Sequence, residues 1–180
     1  MRTSILLLLT VALVFSCTTS TPTEQLHNLM QSYHEETLKM NPVGATYQGD
    51  TRYNDYLPNY LSDAVISKHK TFYSDILQQL NSIDEKSLNE EDKLSKEILK
   101  WECETSLMGM KFPTELLPID QMWTLQLTIG QLATGTGAQP FKTVEDYENW
   151  LSRVDDYVVW LSSAKTRMEE GIERGIVLPK

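Results

Sequence analysis

The sequence is poor in the side chains that usually carry chemistry in an active site. It has two cysteines and three histidines in 180 residues. A zinc hydrolase needs two histidines one helical turn apart, an acidic ligand and a glutamate that activates the metal-bound water. The stretch His34-Glu35-Glu36-Thr37-Leu38 begins like such a motif, but leucine stands where the second histidine is needed. We therefore interpret His27 and His34 as surface residues of a helix and predict no metal site.

Motifs for other common chemistries are missing as well. The sequence has no Gly-x-Ser-x-Gly for a serine nucleophile, and Gly135-Thr136-Gly137 is too short for a phosphate-binding loop. We predict no catalytic residue and no cofactor in this chain. The formal charge of −9 argues against nucleic acid as a partner, because nucleic acids bind to basic surfaces. For the same reason a basic patch that adsorbs to anionic lipid is not expected.

Long hydrophobic runs are scarce, and the one at the start has the length of a signal peptide. Arg2 precedes an apolar run over residues 5–15, which is too short to span a bilayer comfortably. Val14-Phe15-Ser16-Cys17 resembles a bacterial lipobox. The resemblance implies that residues 1–16 are removed and that Cys17 is acylated, for example with palmitate, so that it anchors the chain in a membrane. The alternative is an ordinary signal peptide with an incidental cysteine.

The remaining sequence predicts an all-α domain. Residues 17–23 are expected to be the lipidated cysteine and a polar tether, and residues 24–180 the helical portion. Caps and breakers predict four main helices, over about residues 22–40, 63–81, 88–110 and 143–174. Their start signals are Thr21, Ser62, Ser87 and Thr143. Cys103 lies inside the third helix without a disulfide partner, and we interpret it as a buried small apolar residue.

Apolar spacing predicts which helix faces point inward. The third helix is expected to bury Leu94, Ile98, Trp101, Thr105 and Met108. The last helix has a nearly unbroken stripe, made of Tyr147, Trp150, Leu151, Val154, Tyr157, Val158, Leu161, Met168 and Ile172. Between these two helices, alternating apolar residues at 125, 127 and 129 suggest a strand. Since one strand would have no partner, we expect an irregular or partly helical connector over residues 111–142.

A long tyrosine-rich loop over residues 41–63 is the strongest candidate for ligand contact. Tyrosine rings offer flat, partly polar surfaces, and carboxylates can bind an amine or an arginine side chain. The candidate contact residues are Asp50, Arg52, Tyr53, Asp55 and Tyr56. The alternative is structural: the tyrosines fill gaps above the helices, and the two aspartates form turns.

A series of short pieces in this loop and beyond it resembles the bacterial domain-of-unknown-function 885 family. The entry segment of that family is similar to Asn41-Pro42, Ala45-Thr46, Gly49-Asp50, Arg52-Tyr53-Asn54-Asp55 and Leu57-Pro58. Later pieces follow in the same order: Ile83-Asp84, Glu91-Asp92-Lys93-Leu94, Pro118-Ile119-Asp120-Gln121-Met122, Asp146-Tyr147-Glu148, Trp150-Leu151-Ser152-Arg153 and residues 171–179.

The resemblance implies a function that the residues of this chain do not reveal. Family members are often exported lipoproteins and look like helical metallopeptidases of the gluzincin type. Their zinc is held by two histidines and a later glutamate, and the glutamate of the histidine motif acts as general base. All these residues lie downstream of this chain, so none is carried over. The expectation is a truncated N-terminal portion of a larger helical fold, which walls the catalytic cleft and is inactive alone.

These expectations define the partners and the location. The lipid bilayer is a partner through Cys17, and the missing C-terminal catalytic part is a second one. The chain is expected in the bacterial cell envelope, and the outer membrane is compatible with Thr18 after the cysteine. One alternative is a stand-alone surface module that binds peptide or glycan through the tyrosine-rich loop. Another is a structural lipoprotein without a small ligand.

Replacement of the lipobox cysteine tests the anchor. In a bacterial expression host, Cys17→Ala should move the protein out of the membrane fraction and abolish incorporation of labelled palmitate, because no thiol is left to acylate. Cys103→Ala is the matched control and should leave both readouts unchanged. Palmitate incorporation by the Cys17→Ala variant at the wild-type level would contradict lipidation at this residue.

Overall fold

The computed structural model describes residues 20–122 and 124–179, and over these ranges the chain is helical without strands. Six α-helices follow one another, and two single turns of 3-10 helix lie at Glu85–Ser87 and Thr114–Leu116. The helices are α1 (Pro22–Met40), α2 (Pro42–Tyr47), α3 (Asp63–Ser82), α4 (Glu90–Gly109), α5 (Leu125–Leu132) and α6 (Val144–Glu173). The predicted all-α class is confirmed. The lipidation site predicted at Cys17 lies outside the described residues.

Local capping explains most helix boundaries. The Thr21 hydroxyl accepts from the Glu24 amide and the Glu24 side chain accepts in return, which forms the predicted capping box of α1. Thr143 and Asp146 form the same arrangement at α6. The predicted start of α4 at Ser87 is wrong, because the Asn89 side chain caps that helix by accepting from the Asp92 amide.

Helices α1, α3 and α4 pack into one apolar core. Its buried residues are Leu26, Leu29, Ile76, Leu80, Ile83, Leu88, Leu99 and Cys103. Each fully buried leucine or isoleucine stabilises the fold by roughly 1.5–3 kcal/mol through loss of contact with water. Tyr33 of α1 stacks on Phe72 of α3 with ring centroids 5.6 Å apart. The predicted burial of Cys103 is confirmed.

The predicted inward face of α4 is wrong. Leu94, Ile98, Trp101, Thr105 and Met108 are exposed, and the buried residues are Asp92, Lys96, Leu99 and Cys103. The buried polar side chains of α4 form hydrogen bonds with residues at the ends of helices. Lys96 Nζ donates to the Ile83 carbonyl at 3.1 Å. Asp92 accepts from the Thr23 hydroxyl and from the Asn89 amide group. These bonds compensate the desolvation that would otherwise keep such residues at the surface.

Helix α6 packs on the tyrosine-rich loop and on the connector. Trp160 and Ala164 are fully buried against Leu61. Arg167 donates to the Leu61 carbonyl at 2.9 Å and to the Asp63 carboxylate, which links α6 to the start of α3. Gly171 lies so close to the Leu116 carbonyl that an added Cβ would come within 3.0 Å of this oxygen.

The predicted stripe of α6 is only partly buried. Trp150, Val154 and Tyr157 are half-buried, whereas Tyr147, Leu151, Val158, Leu161, Met168 and Ile172 are exposed. The fully buried residues of this helix are instead Arg153, Trp160, Ala164 and Gly171. The expectation that the α6 stripe faces inward as a whole is therefore wrong, because neighbouring elements cover only one side of the helix.

The connector between α4 and α6 is partly helical, as predicted. It contains the 3-10 turn at Thr114–Leu116 and helix α5. The alternating apolar residues that suggested a strand lie on α5, where Ile129 and Leu132 are buried. In the part of the chain that the structure describes, no helix is both long and apolar enough to cross a membrane.

Candidate functional site

The tyrosine-rich loop is fixed to α6 by the fully buried guanidinium of Arg153. Its Nη1 donates to the Gln139 side-chain oxygen at 2.8 Å and to the Thr46 hydroxyl at 3.0 Å. Its Nε donates to the Tyr56 carbonyl at 3.3 Å, and its Nη2 donates to the Tyr53 carbonyl. One side chain of α6 thus holds α2, the loop and the connector at fixed positions. We call this arrangement the Arg153 clamp.

Further contacts between the loop and α6 continue the clamp toward the C-terminus. The Leu57 amide donates to Asp156 Oδ2 at 2.9 Å, and Asn59 donates to the Ser163 hydroxyl at 2.7 Å. Within the loop, the Thr46 hydroxyl lies 2.7 Å from the Asn54 side-chain oxygen, and both residues are buried. The segment 53–59 is therefore held along α6 by the backbone of Tyr53, Tyr56 and Leu57 and by the side chain of Asn59.

Burial changes the electrostatics of the clamp. Loss of solvent lowers the pKa of Arg153 to about 10, and the nearby Asp55 carboxylate opposes this shift. The guanidinium still carries its proton at pH 7, because this pKa lies well above neutrality. A buried charge is costly unless it is surrounded by hydrogen-bond acceptors. Two carbonyls, an amide oxygen and a hydroxyl supply them here.

The predicted contact residues divide into two groups in the structure. Arg52 forms ion pairs with Asp50 at 2.6 Å and with Glu35 of α1 at 2.8 Å. Hydrogen bonds from Arg52 hold the pKa of both carboxylates below its ordinary value. The Arg52 guanidinium also lies 5.4 Å from the centre of the Tyr53 ring. The side chains of Asp50 and Tyr53 thus both interact with the Arg52 guanidinium.

Asp55 and Tyr56 form the second group, and their side chains face the solvent. Tyr56 is 44% exposed, and Asp55 is exposed as well. Their positions follow from the clamp, because the Tyr53 and Tyr56 carbonyls on either side are bound by Arg153. The two consecutive residues therefore present an exposed carboxylate and an exposed phenol on a backbone that Arg153 holds.

Two adjoining cavities lie beside Asn41, and the first of them is also lined by Tyr60 and Leu61 of the tyrosine-rich loop. A cavity of about 420 Å³ is lined by apolar residues together with His69 and Glu115. A second one of about 360 Å³ shares Met40, Asn41 and His69 with it and also contains His34 and Glu102. Burial and the neighbouring Lys68 lower the pKa of His69, which keeps its ring neutral at pH 7. The sequence signals for this region are the tyrosine-rich loop and the position of His69 among the apolar residues of α3.

The histidines of the described residues do not form a zinc site. His27 binds Asp92 at 2.7 Å, at a distance from the cavities that His34 and His69 line. No group of three histidine, cysteine, aspartate or glutamate side chains converges in residues 20–122 and 124–179 in a way that could hold a metal ion. The zinc that the family resemblance implies therefore has no ligand set among the described residues, and no chemistry is assigned to a metal there.

Comparison with known proteins gives one positive result. The family model described as "Bacterial protein of unknown function (DUF885)" matches residues 42–180. The matched range starts at α2 and contains the tyrosine-rich loop, Arg153 and all later helices. Neither the curated proteins nor the solved structures give a match.

The clamp predicts a large loss of stability when Arg153 is replaced. Arg153→Met should lower the free energy of unfolding by about 3 kcal/mol, because buried acceptors lose their donors. Arg174→Met is the matched control: Arg174 forms an exposed ion pair with Glu170 at 2.9 Å. Its replacement should cost less than about 1 kcal/mol. Urea unfolding followed by circular dichroism measures both values, and equal losses in the two variants would contradict the structural role of the clamp.

Proposed function

The chain belongs to the DUF885 family of bacterial proteins, and from this premise we propose that it is the non-catalytic N-terminal part of an exported, zinc-metallopeptidase-like protein. Cys17 carries the acyl chains that hold the protein at the cell envelope. Residues 24–180 form a helical wall beside the catalytic cleft, and peptide hydrolysis with zinc takes place in the downstream part. The role of this chain is to pack against that part and to position it at the membrane.

The outward apolar faces of α4 and α6 carry this proposal. Leu94, Ile98, Trp101 and Met108 on α4 are 62%, 55%, 67% and 54% exposed. Helix α6 adds Val144, Tyr147, Leu151 and Val158, which are exposed too. Rows of exposed large apolar side chains along a helix mark a contact with other protein or with a membrane. The exposed faces of α4 and α6 therefore support the proposal that further helices of the protein pack on them.

The Arg153 clamp supports a scaffolding role for the tyrosine-rich loop. The backbone carbonyls of Tyr53 and Tyr56 accept hydrogen bonds from Arg153, so these two carbonyls are not available to a substrate. The matched family region also includes the loop and its partner helix. A wall of a cleft needs a rigid backbone more than it needs reactive groups, because binding geometry is lost when supporting elements move.

Absence of hydrolysis is the first test of the proposal. Protein that starts at Thr18, supplied with zinc and a library of peptides, should show no cleavage above buffer, because the predicted metal ligands lie outside this chain. Mass spectrometry of the library gives the readout, and addition of a chelator controls for contaminating peptidases. Zinc-dependent cleavage that disappears in a His34→Ala variant would overturn the proposal, since it would place a catalytic residue in this chain.

A second function is favoured by the exposed pair Asp55 and Tyr56. We propose as the alternative a surface lipoprotein module that binds a peptide or glycan through this loop, with Asp50, Arg52 and Tyr53 in support. The ion pairs of Arg52 with Asp50 and Glu35 hold that side of the loop against α1. A carboxylate next to a tyrosine ring suits a ligand with a cationic group and a flat or apolar body.

Variants of the exposed pair distinguish the alternative from the first proposal. If the loop binds a ligand found on a peptide or glycan array, Tyr56→Ala and Asp55→Asn should each weaken binding by about tenfold, roughly 1.4 kcal/mol. The melting temperature should not change, because neither side chain is buried. Tyr47→Ala is the matched control, since Tyr47 is 53% exposed but lies on α2. An equal loss in the control, or an array without any ligand, would contradict the alternative.

A further inference from the structure

Helix α4 carries a regular apolar seam on its solvent side. The seam consists of Leu94, Ile98, Trp101, Thr105 and Met108, which follow one another at alternating distances of four and three residues. All five residues are exposed. The opposite side of the same helix already packs on α1 and α3 through Leu99 and Cys103. We call the five exposed residues the α4 seam.

The spacing of the α4 seam is that of a helix-packing surface. Alternating steps of four and three residues average 3.5 residues, which is the repeat by which one helix inserts its side chains between those of another. The seam extends over four helical turns and measures about 21 Å at a rise of 1.5 Å per residue. A single helix of at least four turns therefore matches its length.

The charges beside the α4 seam restrict the kind of helix that fits. Glu97 and Glu104 lie next to the seam on one side, and Glu102 lies next to it on the other side. These three carboxylates are exposed. Within the described part of the chain, no lysine or arginine forms an ion pair with any of them. Residues in these flanking positions set the choice of partner, because opposite charges there attract and like charges repel.

We propose that the α4 seam docks an amphipathic helix whose apolar seam is flanked by lysine or arginine. The inference deepens the proposed function, on which it rests, by naming the chemistry of the partner that covers α4. Apolar seams of both helices lose contact with water in the complex. The basic side chains of the partner lie opposite Glu97, Glu102 and Glu104, which gives the complex its register and its specificity.

A second copy of this chain does not meet the same requirement. The other exposed apolar stripe, on α6, contains Val144, Tyr147, Leu151 and Val158. Glu148 and Asp155 lie next to that stripe. Pairing α4 with α6 of a second copy, or α4 with α4, would bring carboxylates against carboxylates. The net charge of −9 adds to this repulsion.

Designed peptides test the inference directly. Every described helix lies after Thr18, so protein that starts there presents the α4 seam. Three 21-residue helical peptides serve as probes: one with leucine and isoleucine seam positions and lysine flanks, one with the same seam and glutamate flanks, and one with lysine flanks and serine at the seam positions. The first should bind at least tenfold more tightly than either of the others in fluorescence anisotropy.

Matched substitutions in the protein locate the binding surface. Trp101→Ser should weaken binding of the lysine-flanked peptide by at least tenfold, because it removes the largest side chain of the seam. Leu151→Ser changes an equally exposed residue on α6 and should leave the affinity unchanged. Both residues face the solvent, so neither substitution removes a core contact, and unchanged melting temperatures verify this. Glu102→Gln should reduce the preference for lysine over glutamate flanks.

Three results would overturn the inference. They are equal binding of the lysine-flanked and glutamate-flanked peptides, equal effects of Trp101→Ser and Leu151→Ser, and a dimer in analytical ultracentrifugation that dissociates on Trp101→Ser. The last result would identify a second copy as the occupant. If the lysine-flanked peptide does not bind and no hydrolysis is seen, this inference is wrong and the proposed function stands. Zinc-dependent hydrolysis overturns the proposed function whatever the peptides do.

Discussion

The structure around the tyrosine-rich loop depends on one buried cation. Arg153 is the tenth residue of the 30-residue helix α6 and is completely inaccessible to solvent. Taking a guanidinium out of water costs several kcal/mol, and only well-placed acceptors offset that cost. The acceptors come from α2 and the loop residues that follow it, and from Gln139 of the connector, which lies in a distant part of the sequence. The chain must therefore bring all three elements to α6 before the charge is satisfied.

This constraint explains how residues 48–62, the non-helical part of the tyrosine-rich loop, can have a defined path. Loops are usually mobile because few of their backbone groups are bound internally. Here the Tyr53 and Tyr56 carbonyls accept from Arg153, and the Leu57 amide donates to Asp156. At the other edge, Arg52 connects the loop to Glu35 on α1. The loop consequently joins the two helical groups of the protein, the α1–α3–α4 core and α6.

Helix positions could be predicted from the sequence because they depend on local signals. Thr21, Ser62 and Thr143 are followed by the amides that their side chains cap, and Pro42 ends α1 through its effect on Asn41. Each of these signals acts within four residues and needs no knowledge of the rest of the fold. The all-α class and the four long helices follow from them. The start of α4 is ambiguous in the sequence because two residues that can cap a helix, Ser87 and Asn89, lie close together.

The clamp could not be predicted, because it depends on contacts across about 100 residues. Arg153 stands beside Val154 in an apolar stripe, where an arginine is ordinarily assigned to the surface. Nothing in its neighbourhood indicates that Thr46, Gln139 and two loop carbonyls will surround it. Asp50 and Arg52 are candidate contact residues because of their charge, and the structure shows that these charges largely satisfy each other. Periodicity identifies apolar faces but does not tell which of two faces is covered.

Helix α4 shows why that distinction matters for function. Its covered face contains a lysine and an aspartate that are hydrogen-bonded to helix ends, and its uncovered face contains leucine, isoleucine, tryptophan and methionine. A helix that had only to stabilise these described residues would gain more by burying the apolar face, since roughly 25 cal/mol per Å² favours its removal from water. The polar face can be buried because Ile83, Asn89 and Thr23 supply specific partners for it. This leaves the apolar face available to a second helix. A contact of that kind would explain why α4 buries its polar face in the core and keeps its apolar face exposed.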